Sequence, residues 1–128
     1  MKEKHMQTLL LLAAFFGATG VAIGAFGAHG LSSVLEANGR ADTFQTGTIY
    51  HLVHAVALLG IALLASQYDS QMVLYAGYAI VAGILLFSGS LYILSIFDMP
   101  IMGAVAPLGG TAFIIGWVLL GVVAWQNV

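Results

Sequence analysis

The chain has 128 residues, of which 61% are hydrophobic and 6% charged, with a formal net charge of −2 and a mean hydropathy of +1.03. That is the length of one domain, and its composition excludes a soluble globular protein, which needs roughly a quarter of its residues charged. With no cysteine there is no disulfide, thiolate metal site or dithiol redox motif, which removes the quinone-linked disulfide-forming enzymes of similar size, and three basic residues make no nucleic-acid surface.

The charged residues Lys2, Glu3, Lys4, Glu36, Arg40, Asp42, Asp69 and Asp98 leave four uncharged runs, 5–35, 43–68, 70–97 and 99–128. Each is longer than the roughly 20 apolar residues that span a bilayer core. The predicted fold is therefore an all-α, integral membrane four-helix bundle. Its head, Met1 to His5, is short and basic. Together with Ala25-Phe26-Gly27 it imitates a signal peptide, but the apolar stretch Met6 to Phe26 exceeds the usual run of about 7–15 residues, so the segment is expected to stay.

The first helix is predicted from about Gln7 to Ala28. Gly17, Gly20, Gly24 and Gly27 recur at steps of three and four and stack along one side, flanked by Ala13, Ala14, Ala18, Ala22, Ala25 and Ala28. Leu12, Phe15, Phe16, Ile23 and Phe26 fill the other arc. A smooth side suits small-xxx-small packing, and this helix is expected to be the central post of the bundle. His29-Gly30 should end it, with Gly30 in the left-handed conformation. A short interfacial helix follows over about Ser32 to Ala37, capped by Ser32 or Ser33.

The second helix is predicted over about Thr46 to Ser66, opening with Tyr50, His51 and His54. Gln67 to Ser70 turn into a third over about Gln71 to Phe97, which carries Ser88, Ser90, Tyr92 and Ser95 and stops at Asp98-Met99-Pro100. Ile101 to Gly110 reads as a loop dipping into the interface. The fourth helix starts near Pro107 and runs to Trp125, and of Trp117 and Trp125 only the latter suits an interfacial belt. Lys2 and Lys4 at the amino end favour both termini in the cytoplasm. The glycine spacing does not recur in the third helix, so an inverted-repeat transporter is not indicated.

An up-and-down bundle gathers the polar residues at one end: His29, Tyr50, His51, His54, Ser88, Tyr92, Ser95, Asp98 and Thr111. His51 and His54, three apart, lean the same way, as do Ser88, Tyr92 and Ser95. Three readings compete for the histidines. A metal site would use His29, His51 and His54 with Asp98 as fourth ligand, and a haem would need His29 facing His51 or His54 at similar depth, although these lie toward the interface. The third is interhelical glue. No carboxylate stands near a histidine in sequence for a hydrolytic triad, and the glycines of helix 1 lack the strand–turn–helix context and lysine of a phosphate loop.

The blocks GAFGAHGL at 24–31, YHLVHAVALL at 50–59, SGSLYIL at 88–94 and APLGGTAFIIGW at 106–117 resemble the YgdD/YwdK-type family of small bacterial inner-membrane proteins, a domain of unknown function. The resemblance covers nearly the whole chain and includes His29, Tyr50, His54, Gly89, Tyr92, Pro107, Gly109 and Gly110. It implies four helices in the inner membrane and brings no catalytic residues. The expected function is that of a non-enzymatic accessory or scaffold subunit without a cofactor, whose partners are the lipid bilayer and either itself or another membrane protein. The alternative is a small-ligand, metal or proton binding or permeation site at the His29/His51/His54 end. A multidrug exporter fits less well, since that class relies on a membrane-embedded acidic residue and helix 1 has none.

Overall fold

In lipid a lone segment can satisfy its own backbone polar groups only as an α-helix, and the computed structural model, which describes residues 1–128, is helical nearly throughout. In chain order it contains α1 (Lys2–Ala28), α2 (Ser32–Asn38), α3 (Ala41–Gln67), α4 (Gln71–Gly83), a π turn (Ile84–Ser88), α5 (Gly89–Phe97), a 3-10 turn (Pro100–Ala104) and α6 (Ala106–Asn127). Four rods are long and apolar enough to cross a membrane: α1, α3, the continuous Gln71–Phe97 and the stretch Pro100–Asn127. The protein is an all-α membrane bundle. The rods alternate in direction, and the Lys2 ammonium accordingly donates to the Gln67 carbonyl at the end of α3 (3.1 Å).

Several boundaries differ from expectation. The polar residues Asp42, Thr43 and Gln45 are helical, so α3 begins at Ala41 and its midpoint moves toward the histidines. Gly30 is not left-handed; the chain leaves α1 through His29 (φ −122°), and Gly39 (φ 66°) is the glycine that closes a helix, α2. There the Gly39 and Arg40 amides bond the Glu36 and Leu35 carbonyls, the paired reach-back of a Schellman end. Asp98 (φ 49°) ends α5 in the same left-handed region, which aspartate tolerates better than most residues. Neither Ser32 nor Ser33 caps α2, and the Ser32 hydroxyl donates instead to the His29 carbonyl (3.0 Å).

The largest departure concerns α1. It is not the central post: it lies at the rim, chiefly along α3. The apolar windows of α1 and the last rod are each 22% buried, against 39% for α3 and for Gln71–Phe97, so these middle two form the interior. Three of the four stacked glycines do face α3, Gly20 against Leu52, Gly24 against Thr48 and Gly27 against the Phe44 ring, while Gly17 has open space around it. Ala14, Ala18, Ala22 and Ala25 are exposed. Neither lipid nor a neighbouring helix rejects an alanine, so a smooth arc shows where close approach is tolerated, not where it happens.

The closest backbone approach lies between the last two rods. A Cβ on Gly109 would collide with the main chain of Leu86 and Phe87, one on Gly83 with the Phe113 ring, and one on Gly116 with Ile80. The main-chain contact at Gly109 falls inside the π turn, an extra residue wound into the rod of a kind common at irregular packing sites. All four rods feed one apolar core that includes Leu9, Leu58, Ile61, Val73, Ile80 and Val123, concentrated in the half of the bundle away from the histidines.

Candidate functional site

His54 is the central residue of α3 as it is observed, and Trp117 lies at mid-span in α6. The histidines therefore sit deep in the membrane rather than toward the interface, and Trp117 lies at the same mid-span depth, away from either interface. The two imidazoles also part company. His51 turns toward α1 and α5, and His54 toward α6.

Each imidazole is held at both ring nitrogens. The Nδ1 of His51 meets the Tyr92 hydroxyl at 2.8 Å and its Nε2 the Thr19 hydroxyl at 3.4 Å. Thr19 spends its own hydrogen on the Phe15 carbonyl (2.9 Å), so it accepts from Nε2–H, and Tyr92 donates to the bare Nδ1. For His54 the pattern is reversed. Nδ1–H donates to the Tyr50 carbonyl (2.7 Å) and Nε2 accepts the Trp117 indole N–H (3.1 Å). The bonding assigns opposite neutral tautomers to two histidines three residues apart. His54 also stacks on Phe113, with ring centres 3.7 Å apart.

The remaining members of the expected cluster separate. Ser88, buried at the end of the π turn, donates to the Gly47 carbonyl (2.7 Å) and ties the two inner rods together. Gly47 has no side chain because the Tyr92 ring passes over it, at 3.1 Å from where a Cβ would stand. The Tyr50 ring lies outside, against Phe87. Ser95 is buried with its hydroxyl unpartnered, while its carbonyl and that of Ile96 accept the Asn38 side-chain amide (3.0 and 3.1 Å). Thr111 is exposed and donates to the Pro107 carbonyl (2.9 Å) in its own helix.

The metal and haem geometries do not form. His29 is exposed at the end of α1, far along the rod from the mid-span pair, and Asp98 is paired with Arg40 (3.4 Å). No three histidine or carboxylate groups are placed to hold an ion. Two of the supposed ligands have no free lone pair, since His54 and His51 accept hydrogen bonds at their bare nitrogens. What the network does is couple segments: Thr19, His51 and Tyr92 join α1, α3 and α5, and His54 with Trp117 joins α3 to α6.

Sequence reasoning missed Thr19, Asn38, Phe113 and Trp117. Trp117 had a signal, because an indole N–H in a membrane span must find an acceptor. Asn38 had another in the turn dipeptide Asn38-Gly39.

Taken together, the four rods and their hydrogen-bonded imidazole pair define a small multi-pass membrane protein whose polar interior, the Ser95 hydroxyl apart, is bonded to itself. A family model described as "Protein of unknown function (DUF423)" matches residues 23–110, and the chain belongs to that family. It is 43% identical over 120 residues to the UPF0382 membrane protein YwdK of Bacillus subtilis, covering 93% of this chain and 97% of the relative. It is 42% identical over 120 residues to a UPF0382 membrane protein of Haemophilus influenzae (94% and 92%). To the UPF0382 inner membrane protein YgdD of Escherichia coli it is 38% identical over 112 residues (88% and 85%). No solved structure matches the chain.

Proposed function

We propose that this is a non-enzymatic accessory or scaffold protein of the bacterial inner membrane, which binds another transmembrane helix, its own copy or another protein's, along the outer arc of α1. The observation that carries this reading is the open space around Gly17 beside exposed Ala14, Ala18 and Ala22. Close packing of helices in lipid depends on such small residues. The bonded histidines point the same way, as buried glue rather than free catalytic groups.

Because the chain has no cysteine, the test is clean. Ala18→Cys labelled with a thiol-reactive photo-cross-linker in native membranes is expected to give a cross-link, either a dimer of this chain or a heavier adduct, while Trp125→Cys labelled in the same way at the far end of α6 gives none. A monomer alone at Ala18→Cys, Ala14→Cys and Ala22→Cys would refute it. With Lys2 and Lys4 at one end, both termini are assigned to the cytoplasm; reporter fusions at either end that prove active only outside it would reverse the assignment.

A second reading rests on a crevice of about 220 Å³ bordered by Phe16, Ile84, Leu85, His51 and Tyr92, whose apolar lining would admit a small apolar ligand beside the His51 ring. A purified protein whose His51 imidazole resonances do not change with added ligand would dismiss it.

A further inference from the structure

A different cavity, of about 470 Å³, lies where α1 ends, between it, α2 and the start of α3. Gly24, Gly27 and Ala28 form one wall, and Leu35 and Phe44 supply apolar surface behind. The polar groups on its lining are Ser32, Glu36, Gln45 and Thr48.

Those groups are short of hydrogens to give. The Ser32 hydroxyl donates to the His29 carbonyl (3.0 Å) and the Thr48 hydroxyl to the Phe44 carbonyl (3.2 Å), which leaves each oxygen free only to accept. Glu36 is an acceptor by nature and has no counter-charge, because the one nearby cation, Arg40, is paired with Asp98. Among the lining side chains only the Gln45 amide can donate. A lining of this kind favours a positive group that brings several N–H bonds, and a primary ammonium has three. The apolar wall beside it suits a hydrocarbon body. The cavity also sits at the ends of the spans, the depth at which lipid headgroups lie.

We infer that this cavity is a binding site for a primary ammonium carried on an apolar body, the chemistry shared by a phosphatidylethanolamine headgroup and a free alkylamine. Choline headgroups carry the same charge without N–H donors and are discriminated against.

Native mass spectrometry of the full chain released from detergent reads this directly, with dioleoyl-phosphatidylethanolamine, dioleoyl-phosphatidylcholine and n-octylamine as probes. The wild type is expected to retain the ethanolamine lipid about tenfold over the choline lipid, the effect of one charge-assisted hydrogen-bond set. Glu36→Gln removes the preference, and Glu3→Gln at the opposite membrane face leaves it intact. Ala41→Leu, which fills the cavity mouth from an exposed position without altering charge, lowers retention as well; should Glu36→Gln depress the unfolding temperature, Ala41→Leu decides alone. Lipid that octylamine fails to displace assigns the site to the headgroup, and displacement assigns it to alkylamines at large. Equal retention of the two lipids by the wild type, or a preference that survives both variants, overturns the inference.

Discussion

The two glycine seams of this bundle differ in what the missing side chains make room for. Between α1 and α3, Gly20, Gly24 and Gly27 face the tips of Leu52 and Thr48 and the edge of Phe44, groups that can rotate aside. Between the last two rods, Gly109 faces the main chain of Leu86 and Phe87, which cannot. The conspicuous stripe meets side chains alone, and the one glycine set squarely against main chain, Gly109, stands outside it.

Substitutions sharpen that contrast. Gly109→Ala is expected to cost most, about 3 kcal/mol, because overpacking against backbone has no rotamer escape. Denaturation of the detergent-solubilised protein by dodecyl sulfate, followed by circular dichroism, measures it. Gly27→Ala should cost about 1 to 2 kcal/mol in the same titration, since the Phe44 ring can yield; a loss equal to that of Gly109→Ala would erase the distinction. Trp117→Phe leaves the His54 Nε2 without a donor and is expected to lose about 1 kcal/mol, and Tyr92→Phe about 0.6 kcal/mol, the average of polar contacts between membrane helices. Gly17→Ala should remain within about 0.5 kcal/mol of wild type. A large loss there in the isolated monomer would mean that the outer arc of α1 is packed after all.

The spans were legible because eight charged residues punctuate an apolar chain, and hydropathy registers such punctuation directly. The arrangement of the spans was not. Hydropathy gives the same value to an alanine against lipid and an alanine against α3, so the smooth arc of α1 could not reveal that α1 stands at the rim. The depth of His51 and His54 is hidden in the sequence for another reason. Asp42, Thr43 and Gln45 look like loop by composition, yet they belong to the first turns of α3, and adding them moves the helix midpoint to His54. The joining of His51 to Tyr92 was within reach, since both lie on the same end of adjacent rods. The splitting of the two histidines between different neighbours depends on the placement of α6, which no periodicity encodes.

The π turn at Ile84–Ser88 has the geometry of a spacer in the winding. Wound as plain α-helix, the same residues would carry everything from Ser88 onward about 100° further around the axis. Tyr92 would then point away from His51, and Ser88 away from the Gly47 carbonyl, while Gly83 kept its seat against Phe113. The extra residue is thus a phase shifter: it allows one continuous rod to present glycine to α6 along its first half and hydroxyls to α3 along its second.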